Sequence, residues 1–312
     1  MRIRKGLCVT AICMGLLLFG FSYGRAAQEI HLGTSPVGGL GYGAGVCLAQ
    51  VINKYLPEYH VTAEITGGTL ENVRIMGERK IEMAITTPYL TLQAINGEGK
   101  FKEKIPLRTI IRALPLTNQY MVLASSDIKT HEDLKGKRVN IGHPGGADIN
   151  GLAILDAYGV TKEDIKVSVL GIGKAVDAVK DGKLDAATAT PQLINQAMAT
   201  HKIRVLWPDE AHVEIMMKRH PTFGKWLMPA GFVKGLEKDT WVPDFGFQLT
   251  CREDIDPVII YKIAKTLVEH LDDLTAMLSQ FSVVTKEWAG SSLGIPFHPG
   301  AVKYFKEIGV MK

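Results

Sequence analysis

The residues of this chain that are best suited to chemistry are small hydroxyl residues and glycines, and the first group of them lies near the start. Residues 33–45 contain Thr34, Ser35, Gly38 and Gly39. Glycine lets backbone N–H groups approach a ligand without a Cβ atom in the way, and hydroxyls add hydrogen bonds. Such groups suit non-covalent capture of a polar or anionic ligand. A flexible turn with weak helix propensity is the alternative, and this run alone leaves both open.

Two later clusters have the same composition. The second contains Gly67, Gly68 and Thr69, and the third contains Thr87 and Tyr89. Each cluster follows a short apolar segment, which predicts a position just after a β-strand. Because ligands of open α/β sheets bind at the carboxyl ends of the strands, we expect the three clusters to line one binding site.

Aromatic side chains in the first and third clusters offer walls for such a site. Tyr42 lies within the glycine run, and Tyr89 follows Thr87 by two positions. A tyrosine combines an apolar ring with a polar tip, which suits a half-exposed binding surface. Packing at a sheet edge uses the same property, so both interpretations stay open for these tyrosines.

A further glycine turn lies in the middle of the chain and contains Gly145, Gly146 and Asp148. We expect this turn to face the first three clusters across a cleft. Asp148 near a helix start either caps the helix or receives a ligand ammonium group. Capping is the favoured role, because short acidic residues are common N-caps.

Signals for catalysis and for cofactors are sparse. The chain contains no H-E-x-x-H, no C-x-x-C and no phosphate-binding G-x-x-x-x-G-K-[ST] sequence. The nine histidines are scattered without the spacing of metal ligands. His143 with Asp148 and Asp185 is the only loose catalytic group. We therefore expect no metal, no cofactor and no enzymatic activity, with an enzyme on the same fold as an alternative.

The clusters must be positioned by repeated strand–turn–helix units. Residues 30–32, 60–65 and 81–86 have the short apolar pattern of strands, and residues 46–56 and the segment from Thr69 have helical periodicity. From residue 139 to residue 207 the same alternation of strands and helices is repeated. This pattern predicts an α/β fold with a second lobe.

The last part of the chain holds one strong strand and mostly helix, too little for a third domain. We expect it to complete the first lobe. The prediction is a two-lobed α/β protein with an interlobe ligand cleft. Lobe I comprises residues 27–127 plus 245–312, and lobe II comprises residues 128–244.

The N-terminus has the pattern of a secretory signal. Arg2, Arg4 and Lys5 precede an apolar run at residues 7–21, and small residues follow up to Ala26. We predict a cleavable signal peptide at residues 1–26 and a periplasmic location, with an uncleaved N-terminal anchor as the alternative.

Export removes the apparent basicity of the chain. Four of the 36 basic residues and none of the 32 acidic residues lie before the cleavage site, which leaves the mature chain with 32 of each. A near-neutral chain without a cluster of lysines and arginines is not expected to bind nucleic acid. Cys47 and Cys251 remain, and two buried free thiols are favoured over a bridge.

These features resemble the TAXI family of solute receptors for TRAP transporters over essentially the whole mature chain. The motifs that carry the resemblance are Gly33-Thr34, Gly38-Gly39, Tyr42 and Gly45, the segment Thr66-Gly67-Gly68-Thr69-Leu70-Glu71-Asn72, the segment Asp133-Leu134-Lys135-Gly136-Lys137-Arg138, and Asp181-Gly182-Lys183-Leu184-Asp185-Ala186. The resemblance implies a type II periplasmic-binding-protein fold, capture of a small organic solute, commonly a carboxylate, and delivery to TRAP membrane permease subunits. We expect a monomer.

Alternatives to this function are a substrate-binding protein of an ABC transporter, an enzyme on the same fold, and a structural envelope protein. The chain departs from the family pattern at Val37, Gly41 and Gly43, and near Thr87 and Gly146 it lacks family hydroxyls. Fewer hydroxyls mean a less polar wall. We therefore predict a ligand that is bulkier or less polar than a simple amino acid.

Overall fold

The computed structural model describes residues 27–144 and 146–312. The predicted signal peptide and Gly145 lie outside the described residues. The strands are β1 (Gln28–Gly33), β2 (Tyr59–Glu64), β3 (Met83–Thr86), β4 (Leu107–Leu114), β5 (Gln119–Leu123), β6 (Arg138–Asn140), β7 (Lys166–Ser168), β8 (Ala186–Ala189), β9 (Ile203–Leu206), β10 (Gly224–Met228), β11 (Thr240–Asp244) and β12 (Phe247–Arg252).

Helices connect and cover these strands. They are α1 (Leu40–Tyr55), α2 (Thr69–Gly77), α3 (Pro88–Asn96), α4 (Ala147–Ala157), α5 (Ile172–Lys180), α6 (Pro191–Thr200), α7 (Glu210–Arg219), α8 (Pro257–Glu269), α9 (Leu271–Met277), α10 (Lys286–Ala289) and α11 (Pro299–Glu307). Two short 3-10 segments, Glu132–Leu134 and Ser279–Val283, lie between them. Within the described residues, no helix is both long and apolar enough to cross a membrane.

The strands form two five-stranded sheets and a two-stranded ribbon. The first sheet has the order β2-β1-β3-β12-β4, and the second has the order β7-β6-β8-β5-β9. In the first sheet, β1 runs parallel to β2 and β3, and β12 runs antiparallel to β3 and β4. In the second sheet, β6 runs parallel to β7 and β8, whereas β5 is antiparallel to β8 and β9. The ribbon pairs β10 with β11.

Each sheet is the centre of its own hydrophobic core. In the first sheet every residue of β3 is buried, as expected for a strand with helices on both faces. Helices α1, α8 and α11 pack their apolar sides around this sheet, with Leu48, Ile263 and Phe305 fully buried. The second sheet is covered in the same way, by α4 and α7 on one side and by α5 and α6 on the other.

The glycine run differs from its prediction as a turn. Helix α1 begins at Leu40, so Gly41, Gly43 and Gly45 lie inside the helix rather than before it. A Cβ atom at Gly45 would lie 2.4 Å from Cγ2 of Thr34. The glycine is therefore needed because α1 approaches the end of β1 closely, and the gain in packing outweighs the low helix propensity of glycine.

Strand β5 belongs to the second sheet, although the predicted end of lobe I at residue 127 would place it with the first. The sequence prediction placed residues 119–123 in lobe I, but β5 pairs with β8 and β9 in the second sheet. The chain thus first crosses between the sheets at residues 115–118, and it crosses back at residues 245–246 between β11 and β12. We propose residues 27–118 plus 245–312 for lobe I and residues 119–244 for lobe II.

The two cysteines of the described chain are both free and buried, as the sequence analysis favoured. Cys47 lies on α1 and Cys251 lies on β12. Burial raises the pKa of both thiols above its usual value. At neutral pH they are therefore protonated thiols that pack as small apolar side chains.

Candidate functional site

A cavity of about 630 Å³ lies between the two lobes. Lobe I contributes the start of α1 and the 3-10 segment that contains Ser279 and Gln280, and the first crossing contributes Pro115 and Thr117. The lobe II residues of the lining are Ile172, Thr190, Pro191, Gln192, Leu193, Asn195, Gln196, Ala199, Trp226 and Phe232. Because both lobes and a crossing meet here, hinge bending would open and close this cavity.

Three helices begin at this cavity, and none has a side chain capping its N-terminus. Helix α1 has Gly39 as its N-cap, α5 has Gly171 and α6 has Thr190, and no side-chain hydrogen bond caps any of them. The first N–H groups of a helix have no partner within the helix, and its N-terminus carries partial positive charge. Except at Pro191, the first residue of α6, which has no N–H group, these helix starts supply backbone donors that favour an anionic group.

Formal charges are absent from the cavity wall. Among the described residues that line it, none is an aspartate, glutamate, lysine, arginine or histidine. The polar side chains are hydroxyls and amides, such as Thr117, Gln192 and Gln280. An ammonium group placed in this cavity would have no carboxylate partner, which disfavours a zwitterionic amino acid as ligand.

The aromatic part of the wall is held by an amide side chain. Asn195 on α6 donates through Nδ2 to the carbonyl oxygen of Phe232 over 3.1 Å, and its Oδ1 accepts from the backbone N–H of Lys234 over 2.8 Å. The ring of Phe232 meets the ring of Trp226 edge to face, with centroids 5.1 Å apart. Asn195 thus holds the backbone that carries the aromatic part of the cavity wall.

Two of the predicted ligand-binding residues line the cavity, and a third is adjacent to it. Gly38 and Gly39 contribute to the wall. Ser35 lies beside Gly39, because a Cβ atom on Gly39 would be 2.8 Å from the Ser35 hydroxyl oxygen. Val37, which directly precedes Gly38, is 67% exposed. The binding role of these residues stays a prediction.

The predicted threonines use their hydroxyls inside the protein. Thr34 is buried and donates to the carbonyl oxygen of Glu64 over 2.7 Å, which ties the end of β1 to the end of β2. Thr69 accepts from the backbone N–H of Thr87 over 3.2 Å. Helix α2 begins at Thr69, and its N-cap is Gly68, which has a positive φ of 96°. Thr34 thus joins two strand ends, and Thr69 joins the start of α2 to the segment that follows β3.

The rest of the second cluster is also engaged internally. The backbone N–H of Gly67 donates to Oε2 of Glu71 over 2.5 Å. Asn72 donates through Nδ2 to the carbonyl oxygens of Thr34 and Ile85, over 2.7 and 2.8 Å. The distinctive segment 66–72 therefore organises the carboxyl ends of three adjacent strands.

The predicted aromatic walls lie elsewhere. Tyr42 is half-buried in the first turn of α1, outside the set of described residues that line the cavity. Tyr89 is half-buried on α3, and its ring lies 6.3 Å from the ring of His220 and 6.2 Å from that of Phe223. Tyr89 thus packs against lobe II in an aromatic cluster, in line with the packing interpretation.

The glycine turn of lobe II forms the start of α4. Gly146 is the N-cap of α4, and Oδ1 of Asp148 accepts a hydrogen bond from the backbone N–H of Gly146 over 3.0 Å. Asp148 lies in the first turn of α4, and its role as a helix cap or as a ligand contact stays a prediction. Neither residue is among the described residues that line the cavity, and Gly145 lies outside the described part of the chain.

Most residues of the cavity wall were missed by the sequence analysis. Trp226 and Phe232 come from residues 212–241, where the sequence has little periodicity, and Gln280 lies in a short 3-10 segment. Thr190 and Pro191 had a usable signal, because a threonine and a proline after strand β8 mark a helix start. Applying the rule of strand carboxyl ends to lobe II would have found these two residues.

A larger cavity of about 930 Å³ lies within lobe II alone. Its wall includes a stack in which the ring of Tyr158 lies between the rings of His131 and His212, at 4.1 and 3.9 Å. His212 Nδ1 contacts Oδ2 of Asp209 at 2.6 Å. A ligand in this cavity would contact one lobe only, whereas the smaller interlobe cavity is lined by both, so we take the interlobe cavity as the candidate ligand site.

Features that would indicate an enzyme or a metal site are limited. The expectation that His143 with Asp148 and Asp185 is the only catalytic candidate is wrong in one respect, because the segment from Gly290 to Gly294 also matches G-x-S-x-G, the pattern of a nucleophile elbow. Its central Ser292 lies in a loop after α10 and donates to the carbonyl oxygen of Ile295, not in a strand–turn–helix junction. No group of three or more potential metal ligands occurs in residues 27–144 and 146–312.

Two α/β lobes with a cleft between them define a periplasmic-binding-protein fold, which confirms the fold class predicted from the sequence. The chain belongs to the NMT1-like family, whose sequence model matches residues 32–309. The narrower resemblance to the TAXI family stays a prediction.

Solved structures with this fold are only distantly related in sequence. PhnD1 from Prochlorococcus marinus, in complex with methylphosphonate, has a TM-score of 0.59 and 9% identity, covering 91% of this chain and 99% of that one. SsuA from Methylobacillus flagellatus is described as the periplasmic sulfonate-binding protein of a sulfonate ABC transporter. It has a TM-score of 0.54 and 13% sequence identity, and the match covers 92% of this chain and 89% of that one. The aliphatic sulphonate-binding protein SsuA from Escherichia coli has a TM-score of 0.52 and 15% sequence identity, and the match covers 90% of this chain and 79% of that one.

Proposed function

We propose that this chain is an extracytoplasmic solute-binding protein that captures a small organic anion in the interlobe cavity and delivers it to a membrane transporter. The observation that carries the proposal is a cavity of about 630 Å³ in which both lobes and three uncapped helix N-termini meet. Its volume lies in the usual range for small-molecule sites, about 300–1,000 Å³. Membership of the NMT1-like family supports the same function.

The proposed ligand has one anionic group and an apolar body. The helix N-termini suit the anionic group, and Trp226 and Phe232 suit an apolar body. A carboxylate, a sulfonate or a phosphonate meets these requirements. An amino acid fits less well, because its ammonium would be buried without a counter-charge.

Thermal unfolding of the protein without residues 1–26 tests this proposal. The probes are benzoate, hexanoate, 1-butanesulfonate, methylphosphonate and glutamate. At a concentration one hundred times Kd, a ligand raises the free energy of unfolding by about 2.7 kcal/mol. We expect an increase in melting temperature with at least one of the first four probes and none with glutamate. Stabilisation by glutamate alone would contradict the proposed ligand class.

A pair of variants locates the bound probe. Gln280 lines the cavity from lobe I, whereas Gln50 is exposed on α1 and outside the cavity wall. Gln280→Ala is expected to raise Kd about tenfold, equivalent to about 1.4 kcal/mol. Gln50→Ala is the matched control and is expected to leave Kd unchanged. Equal values of Kd for the two variants would place the ligand outside the interlobe cavity.

We propose an ABC-type importer as the transporter partner. The support is the similarity of fold to a protein described as part of a sulfonate ABC transporter, together with the NMT1-like family. A TRAP permease is the second candidate, supported by the resemblance of segment 66–72 to the TAXI receptors. The structural role of that segment in joining strand ends weakens its value as a sign of the partner.

Energy dependence distinguishes the two partners. Uptake of a probe is measured in cells that require this protein for that uptake. Depletion of ATP with arsenate is expected to stop uptake through an ABC importer, while collapse of the ion gradients by ionophores at maintained ATP leaves it intact. The opposite pattern would establish the TRAP candidate. Conversion of the probe to a product by the purified protein would instead favour an enzyme.

A further inference from the structure

The two crossings between the lobes run side by side and are joined by their backbones. The first crossing covers residues 115–118, and the second covers residues 245–246. The backbone N–H of Phe245 donates to the carbonyl oxygen of Leu116 over 2.7 Å. Any movement of one lobe relative to the other must therefore pass through this pair of segments.

One buried carboxylate binds both crossings at this point. Asp244 ends β11, and its side chain is completely buried. Its Oδ1 accepts from the backbone N–H of Leu116 over 2.7 Å and from that of Gly246 over 2.8 Å. The same carboxylate thus holds the first crossing through Leu116 and the second crossing through Gly246.

The other carboxylate oxygen is bound to lobe I. Arg112 lies on β4, and its Nη2 donates to Oδ2 of Asp244 in a buried ion pair. The backbone of Asp244 belongs to the β10–β11 ribbon of lobe II. Asp244 therefore links a strand of lobe I, both crossings and the ribbon of lobe II through a single functional group.

Arg112 is itself held in place by the C-terminal part of lobe I. Its Nη1 donates to Oγ of Ser291 over 2.8 Å, and its guanidinium lies 3.6 Å from the ring centroid of Trp288. On the other side, a Cβ atom at Gly224 would lie 3.3 Å from Nη2 of Arg112. The guanidinium therefore has little freedom, and Asp244 is bound to a rigid point of lobe I.

Gly246 is the residue in the second crossing that requires glycine. It has a φ of 66°, and a Cβ atom there would lie 2.5 Å from Leu293 Cδ1 and 3.2 Å from Pro88 Cγ. Residues with side chains rarely adopt this backbone conformation. The left-handed turn at Gly246 brings its N–H to the carboxylate of Asp244, two residues earlier.

The tied crossing is also part of the cavity wall. Pro115 and Thr117, the neighbours of Leu116, both line the interlobe cavity. A shift of Leu116 must therefore move two residues of the cavity wall.

The carboxylate of Asp244 is stabilised against its burial by its partners. Burial raises the pKa of Asp244, and the neighbouring Arg112 with the N–H donors of Leu116 and Gly246 opposes that rise.

From these contacts we infer that Asp244 is a positioning residue that holds the two crossings in register and thereby sets the closure of the lobes on the solute. Arg112 anchors its carboxylate to lobe I, and the cavity geometry depends on the pair. This inference rests on the proposed function only where it concerns solute affinity. The geometry of the two crossings in the ligand-free protein does not depend on the proposed function.

The test measures the distance between the lobes and the affinity for a probe. Spin labels are attached at Glu103→Cys in lobe I and Lys162→Cys in lobe II, both exposed positions, while Cys47 and Cys251 are buried. In the ligand-free protein we expect a narrow distance distribution, which shifts to shorter distances with benzoate or 1-butanesulfonate. In Asp244→Asn we expect a broader ligand-free distribution and a Kd at least tenfold higher.

A second variant covers the possibility that Asp244→Asn does not fold, because it leaves the buried Arg112 without a counter-charge. Arg112→Met with Asp244→Asn removes both charges with side chains of similar size, so no uncompensated charge stays buried. The lobe I anchor is still lost, so we expect the same broad distribution and raised Kd. A folded double variant with the wild-type distribution and Kd would overturn the inference.

A destabilised control separates hinge geometry from general stability. Leu267 is fully buried on α8, outside both crossings. Leu267→Ala is expected to lower the melting temperature while leaving the distance distribution and Kd unchanged. If wild-type protein binds no probe, the proposed function fails, whereas the ligand-free distance distributions of the variants still decide the role of Asp244.

Discussion

At the scale of single residues, His131 shows how burial changes the chemistry of a side chain. It is 2% exposed, and its Nε2 has no hydrogen-bond partner among the described residues. Burial lowers the pKa of His131 to about 4, with smaller electrostatic effects from Glu132, His212 and Asp209. At neutral pH His131 is therefore an uncharged ring, stacked on Tyr158.

This lowered pKa predicts a loss of stability in acid. Between pH 6.5 and pH 4 the unfolded chain binds a proton at His131 that the folded protein does not, so the free energy of unfolding falls as the pH falls. From pH 7 to pH 5 the expected loss from this residue is about 2 kcal/mol. Denaturant unfolding at both pH values measures it.

The matched variant for this measurement is His131→Phe, which keeps an aromatic ring against Tyr158 but does not titrate. We expect its free energy of unfolding to fall less than that of the wild type by about 2 kcal/mol over the same pH interval. His220 and His298, whose pKa values are also lowered by burial, contribute equally to both proteins. Identical pH dependence in the two proteins would contradict the assignment.

At the scale of elements, two asparagines illustrate the difference between a purely structural role and a role in the cavity wall. Asn72 on α2 is fully buried and donates to carbonyl oxygens at the ends of β1 and β3. Asn195 on α6 lines the cavity and holds the backbone at Phe232 and Lys234. Both side chains hold neighbouring backbone in place, but only the second does so in the wall of the proposed solute cavity.

The same substitution at both positions therefore has different expected effects. Asn72→Ala leaves two buried carbonyl groups without this donor, and we expect it to lower the free energy of unfolding by about 2–3 kcal/mol with Kd within about twofold of wild type. Asn195→Ala is expected to destabilise less and to raise Kd about tenfold, because the segment carrying Phe232 is released. Denaturant unfolding and calorimetric titration with benzoate measure both quantities; a larger change in Kd for Asn72→Ala would refute the distinction.

At the scale of the whole molecule, the position of the cavity predicts a change of shape. A solute held between the lobes stabilises the closed arrangement, because closure adds contacts from the second lobe. Small-angle X-ray scattering with saturating benzoate is expected to show a smaller radius of gyration than without it. Binding in the larger cavity of lobe II would raise the melting temperature without this compaction.

Much of the architecture could be predicted from the sequence because its signals are local. The strand–turn–helix units of β1, β2 and β3, and the alternation of strands and helices predicted from residue 139 to residue 207, follow from apolar periodicity and helix-start residues over short segments. The ribbon β10–β11 was missed because its segment contains prolines and glycines and little alternation. The pairing of β5 with the second sheet depends on contacts with β8 and β9, about 65–85 residues away in the chain, which no local pattern encodes.

By itself, the sequence determined that the chain is a two-lobed α/β protein with glycine and hydroxyl clusters at strand ends, because apolar periodicity and turn residues act over a few positions. Only the tertiary structure decided which of those groups line the interlobe cavity. Gly38 and Gly39 line the cavity, whereas the hydroxyl of Thr34 donates to Glu64 and that of Thr69 accepts from Thr87. Asp244 joins the crossings. The reason is physical: a hydroxyl or carboxylate bonds to whatever polar group the fold brings near it, and those partners are distant in sequence.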